Sequence, residues 1–130
     1  MEHLSLGKLG EDIAYRFLIR KGFHMKTRNY RKIYGEIDII AQKNKKLYFI
    51  EVKSLSFDIS RETKIGEYAF FNPEDAVHYK KRERLRRAIQ GYLYEKQTLS
   101  EMEWQFDIVS VLIDVKNKKA RVRFLENLTL

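Results

Sequence analysis

The sequence contains no cysteine, a single proline (Pro73) and three scattered histidines (His3, His24, His78). Without cysteine there can be neither a disulfide nor a thiolate metal site, and the histidines do not fall at zinc-ligand spacing. Any metal this chain binds must therefore be held mainly by oxygens. A run of about 18 apolar residues, the minimum for a membrane-crossing helix, is also missing. The opening "MEHLSLGKLGEDIAYRF" carries acids where a secretory signal would have its apolar region, so a soluble, cytoplasmic protein is expected. No repeat, linker or low-complexity segment interrupts the chain. Its 130 residues, 44% of them hydrophobic, are expected to form one domain spanning 1–130 around one core.

Acids are in deficit as well. Lys plus Arg number 26 against 18 Asp plus Glu, a net charge of +8. Such a balance points to an anionic partner, either nucleic acid or a membrane surface. The cations are clustered: "HYKKRERLRR" has six Lys or Arg in ten residues, and "KNKK" at 43–46 and "KNKKARVR" at 116–123 add two further groups. A membrane partner is the poorer reading, because the basic segment has no broad apolar face beyond the stripe a core would need.

Apolar spacing predicts a helix from about Leu6 to Lys21, with a stripe of Leu6, Leu9, Ile13, Ala14, Phe17 and Leu18 and with Gly22 as its C-terminal cap. Three strands follow, "FHMKTRNY", "EIDIIAQ" and "LYFIEVKS", and then a long, weakly patterned loop from about Leu55 to Phe71, itself a candidate functional segment. "NPED" opens a second helix with Asn72 as cap, Pro73 at the first position and Asp75 as a reciprocal capping acid; it should run to about Lys96. Two late strands, "WQFDIVSVLI" and "ARVRFLEN", flank "DVKNKK". The order α-β-β-β-α-β-β predicts an α/β fold, a mixed sheet covered by helices.

The hairpin "YGEIDIIAQKNKKLYFIEVKS" holds three acids and a lysine among apolar strand residues. A two-residue turn at Asn44 and Lys45 would set Asp38 opposite Glu51 and Glu36 opposite Lys53. Alternation then gives Ile37, Ile39, Tyr48, Ile50 and Val52 to the other face, while Ile40, Leu47 and Phe49 continue the charged face. Two carboxylates facing each other repel, more so as water is excluded, and a divalent cation relieves the repulsion. Mg²⁺ commonly takes one or two carboxylates together with substrate phosphate oxygens, a role open to Asp38 and Glu51. An ammonium at Lys53 would hold an attacking water and balance charge building on a phosphate. The alternative is structural: a Glu36–Lys53 salt bridge, with Asp38 paired to an arginine.

In the second helix Val77, Lys81, Leu85, Ala88 and Tyr92 share a face, so Lys81 interrupts an apolar stripe and points toward the sheet. It is either a phosphate contact near the acids or a lysine snorkelling from the core edge. Lys80, Arg84 and Arg87 lie mostly elsewhere around the helix and are candidates for sequence-independent phosphate contacts. Glu11 borders the first helix's stripe, where the helix dipole favours an acid in any case.

In order and over nearly the whole chain, "GKLGEDIAYRFL" with "KGF", "RNYR", "GEIDII", "LYFIEVK", "AVHYKKRERLRRAIQGYL" and "FDIV" resemble the YraN-like family of predicted nucleases. That family is similar to archaeal Holliday-junction resolvases and, by resemblance, belongs to the PD-(D/E)XK, restriction-endonuclease-like superfamily. The resemblance implies a restriction-endonuclease-like core, with Asp38 and Glu51 as ligands of Mg²⁺ or Mn²⁺ and Lys53 as the catalytic lysine. Glu11 takes a supporting acidic role, and Lys81 occupies the family's lysine position in the second core helix. Where the family commonly has an arginine, two residues beyond Lys53, this chain has Leu55, which leaves that phosphate contact to other residues such as Arg61 or Lys64.

Two functions follow from these readings. The first is a metal-dependent endonuclease that hydrolyses DNA, with branched DNA implied by family analogy alone. The second is a nucleic-acid-binding module whose acidic site is structural. The sequence leaves a homodimer open as an assembly.

Overall fold

The computed structural model describes residues 5–56, 79–96 and 101–130; for Tyr79 and Lys80 it describes the backbone alone. Helix α1 spans Leu6–Arg20. The Ser5 side chain accepts from the Lys8 N–H at 3.1 Å, satisfying an N-terminal donor of the helix, and Gly22 leaves it at φ 91°, the left-handed conformation expected of a glycine cap. Strands β1 (His24–Lys32), β2 (Gly35–Lys43) and β3 (Lys46–Ser56) follow, then helix α2 (Tyr79–Glu95) and strands β4 (Glu103–Asp114) and β5 (Lys119–Leu128). The expected order is observed, with strand ends displaced by one or two residues. The expected start of the second helix at Asn72 and most of the loop from Leu55 lie outside the described residues.

The five strands form one sheet in sequence order, antiparallel except for the parallel pair β3 and β4. Each face carries its own core. On one face, the α1 stripe packs Ala14 and Leu18 onto Ile39, Ala41, Ile50, Val109, Val111 and Ile113, with Leu6, Leu9, Ile13 and Phe17 at its margin. On the other, Leu85, Ala88, Ile89 and Tyr92 of α2 cover Ile40, Leu47, Phe49, Phe106 and Ile108. The apolar residues of β4 alternate between the two clusters because that central strand is covered on both sides. No helix among the described residues is long and apolar enough to cross a membrane.

The turn between β2 and β3 is the predicted one. Asn44 and Lys45 adopt φ of 50° and 63°, the left-handed pair of a type I′ turn, whose twist matches that of the flanking strands. The paired positions from Lys43 and Lys46 to Ile39 and Ile50 keep the expected register.

Candidate active site

Beyond Ile39 and Ile50 the regular pairing of β2 with β3 stops, and this corrects the sequence reading. Neither Asp38 with Glu51 nor Glu36 with Lys53 forms a paired position. The cause lies across β2, in β1. Between the pairs Arg28–Ile39 and Tyr30–Ile37 sits Asn29, left-handed at φ 52° and facing the Asp38 step. Both strands exchange faces there: Ile39 packs under α1, whereas Ile37 and Tyr30 join the α2 cluster. Ile37 is therefore not on the face of Ile39 as strict alternation requires. Asp38, at the crossover, turns toward β3, and its Oδ2 accepts the Val52 N–H at 2.8 Å. A carboxylate thus takes a backbone donor beyond the end of the ladder, where an unpaired buried N–H would be costly.

Glu51 sits beside it. Val52 belongs to the α1-side core, and Ser54 meets Gly10 of α1, so by alternation Glu51 and Lys53 project to the α2 side. The Glu51 side chain is 12% exposed, and its Oε1 lies 2.7 Å from the Lys81 Nζ. Lys81 thus points inward toward the sheet, as its place in the helical stripe predicts. Lys53 is exposed and has no ion pair among the described residues.

Two glycines allow this convergence. A Cβ on Gly10 would lie 1.7 Å from the Ser54 Oγ, so only glycine lets α1 approach β3 this closely, bringing the next residue, Glu11, to the acids. A Cβ on Gly35 would lie 2.3 Å from the Arg84 carbonyl oxygen, so this position lets α2 rest on the start of β2 one turn beyond Lys81. The sequence reading placed Glu11 and Lys81 near the acids without identifying why they could reach them. The glycines of "GKLGED" and "YGEID" were the available signal, as was an asparagine within a strand at "TRNYR".

The electrostatics are those of crowded acids. Asp38 is pushed up to about 7, chiefly by burial and next by the Glu51 charge, with Glu11 adding to the rise and the Val52 N–H and Lys81 opposing it. Glu51 is also raised by burial, against the hydrogen bond and charge of Lys81, with Glu36 and Glu11 raising it further. Glu11 is thus electrostatically part of the site. Among the described residues neither salt bridge of the structural alternative forms: Glu36 lies 3.8 Å from Arg31, and Asp38 accepts a backbone N–H.

A cleft of about 570 Å³ opens beside Glu51, lined also by Lys32, Ile33, Gly35, Glu36, Lys81, Arg84 and Leu85. Asp38 and Lys53 do not line it. Arg84 does, whereas Arg87 is exposed farther along α2, beside Tyr34 and Tyr94. The side chain of Lys80, together with Arg61 and Lys64, lies outside the described residues.

A five-stranded mixed sheet flanked by two helices in the order α-β-β-β-α-β-β, with acids where β2 and β3 separate, has the form of a restriction-endonuclease-like core. The chain belongs to the Uncharacterised protein family UPF0102, the YraN-like family, whose model matches residues 10–111. It is 35% identical over 127 residues to a UPF0102 protein of Dictyoglomus turgidum, covering 98% of each chain. A UPF0102 protein of Alkaliphilus oremlandii is 36% identical over 125 residues, covering 95% of this chain and 96% of its own. One from Clostridium botulinum strain 657 is 29% identical over 123 residues, covering 95% and 92%.

Proposed function

We propose that the protein is a divalent-cation-dependent endonuclease that hydrolyses DNA phosphodiester bonds, with Asp38 and Glu51 holding Mg²⁺ or Mn²⁺. The observation that carries this reading is the acidic pair itself. Asp38 and Glu51 repel each other in a half-buried place, Glu11 deepens the repulsion, and Lys81 offsets only part of it. Their oxygens fit a hard cation. Mg²⁺ commonly takes one or two carboxylates and fills its shell with water and phosphate oxygens. Such an ion, when bound, supplies Lewis-acid charge at a phosphate and lowers the pKa of water.

The protein's own groups do the rest. Lys53, on the face of Glu51, orients the attacking water and sets positive charge where the phosphate gains negative charge. Lys81 and Arg84 line the cleft and hold the phosphate backbone; Lys80 and Arg87 of the same helix extend this contact. Glu11 steadies the positive charge drawn to the site.

The Lys81–Glu51 ion pair favours a second reading, because a lysine that balances a glutamate is also how a structural acidic site is stabilised. In that reading the protein binds nucleic acid and cleaves nothing. Cleavage of supercoiled, linear, single-stranded and branched DNA with Mg²⁺ or Mn²⁺ separates the two. The parent should cut at least one of these and Glu51→Gln none, whereas a parent inert on all four with both cations establishes the second reading.

A further inference from the structure

The sheet has two hairpin turns of two residues each, and they are built by opposite rules. Asn44 and Lys45 are polar and left-handed, as such a turn requires. Between β1 and β2 the ladder closes at Lys32 and Gly35, leaving Ile33 and Tyr34 as the turn. Both keep negative φ, the conformation that fits a two-residue hairpin poorly, and both are large and apolar. Departures of this kind from local rules concentrate at functional places.

Tyr34 explains half of this turn. Its ring lies against α2, where a Cβ on Gly91 would come within 2.4 Å of its hydroxyl, and that hydroxyl lies 3.3 Å from the Tyr30 hydroxyl. The turn is therefore pinned to α2 by its second residue. Its first, Ile33, is fully exposed and lines the cleft that also contains Glu51, Lys81 and Arg84. A pinned turn that holds an isoleucine out in solvent gains nothing for the core. It presents an apolar tip at the rim of a cleft lined by Lys32, Lys81 and Arg84 alongside Glu36 and Glu51, just beyond Arg31 and Lys32 of β1, which lie 3.8 Å and 3.5 Å from Glu36 and Glu95.

We propose that Ile33 is a wedge that packs against a DNA base exposed at an unstacked step, next to the phosphate held in the cleft. This rests on the nucleic-acid reading above and deepens it by naming the local substrate feature. The charges match: cations on the rim would engage the backbone, while the fully exposed Ile33 side chain meets the apolar face of an unstacked base. Apolar side chains inserted at base steps hold kinked or opened duplexes in this way, and the unstacking cost is least where the step is already interrupted. Binding should thus favour DNA with a gap or bulge over an intact duplex.

Full exposure makes the test clean, since replacing Ile33 removes no internal contact. Fluorescence anisotropy in EDTA would compare the parent, Ile33→Ala and Ile33→Leu on an intact duplex and on the same duplex with a one-nucleotide gap flanked by 2-aminopurine. The parent should prefer the gapped DNA on the order of tenfold and brighten the probe. Ile33→Ala should lose most of that preference and the brightening while binding intact duplex as the parent does, and Ile33→Leu should keep both. Equal preference in all three proteins overturns the wedge, as does an equal loss on both DNAs. A parent that binds neither DNA overturns the nucleic-acid reading together with the wedge.

Discussion

Two aspartates, Asp38 half-buried in β2 and Asp107 fully buried in β4, are both raised, chiefly by burial, Asp38 to about 7 and Asp107 to about 6, yet they sit in opposite settings. Asp107 is fully buried and tied down: its Oδ1 accepts from the Gln105 side chain and from the Asn127 N–H, each at 2.7 Å, and so fastens the end of β5. Its further acid influence is Glu126, opposed by Lys46. Asp38 holds one backbone donor and faces the charges of both Glu51 and Glu11. Desolvation alone therefore does not mark a functional acid. What distinguishes the β2–β3 opening is that several acids share it and that a cationic cleft adjoins it.

The largest expected effect breaks the comparison in activity. Asp38→Asn and Glu51→Gln should each lower cleavage by at least about a hundredfold, and Lys53→Ala should do the same while still binding cation. Asp107→Asn should leave cleavage within a few-fold of the parent. Rates on one DNA at saturating Mn²⁺ decide this, and a loss in Asp107→Asn equal to that in Asp38→Asn would erase the distinction.

Stability should divide them the other way. Asp107→Ala strands the Gln105 amide in the interior and releases the Asn127 N–H at the end of β5, a cost of about 2 kcal/mol in urea unfolding. Mn²⁺ should raise the melting temperature of the parent and of Asp107→Asn, because an ion bound only by the native state stabilises it by mass action, but not that of Asp38→Asn. Equal curves for the parent with and without Mn²⁺ would turn the argument toward the binding module.

The acids' pH windows sharpen the comparison. Both have folded pKa values above their ordinary 3.8, so the native state prefers the protonated form. Each therefore contributes its stability most fully below about pH 4 and loses it as pH rises, through about 6 for Asp107 and about 7 for Asp38. The Asn variants should flatten the fall within their own windows. Mn²⁺ favours ionised carboxylates, so it should suppress the fall through Asp38 and leave that through Asp107 unchanged. Unfolding free energies between pH 4 and 8, with and without the ion, provide the measurement.

Much of the framework around Asp38 and Glu51 was open to reading in the sequence, whereas nothing there singled out Asp107. Helix periodicity gave α1 and the inward lysine of α2, and "KNKK" gave the turn and register of β2 and β3 because an Asn-initiated two-residue turn leaves few alternatives. What escaped was the face exchange at Asn29 and Asp38. Alternation is a local rule, and a left-handed residue in a neighbouring strand can override it without leaving any mark in β2 itself. The roles of Gly10 and Gly35 escaped for a related reason: each is set by a backbone from a distant element. The long loop after β3, with Arg61 and Lys64, and the cap at Asn72 fall outside the described residues.

The smallest effect concerns two arginines of α2 and extends the contrast to the cations. Arg84 is exposed and lines the cleft beside Glu51. Arg86, two residues on, is half-buried: one of its guanidinium nitrogens reaches Glu83, and Nη2 donates to the Leu130 carbonyl at 2.6 Å, beside the end of β5 that Asp107 fastens. If the cleft holds DNA, Arg84→Ala should reduce the slope of log affinity against log salt by about one, the loss of one neutralised phosphate. Arg87→Ala should act in the same direction. Arg86→Ala should leave the slope alone and instead lower stability by about 1 kcal/mol through its broken hydrogen bonds. Anisotropy titrations in EDTA across a range of salt keep the ion out of the comparison, and a slope lowered equally by Arg84→Ala and Arg86→Ala would show that charge on α2 acts without regard to the cleft.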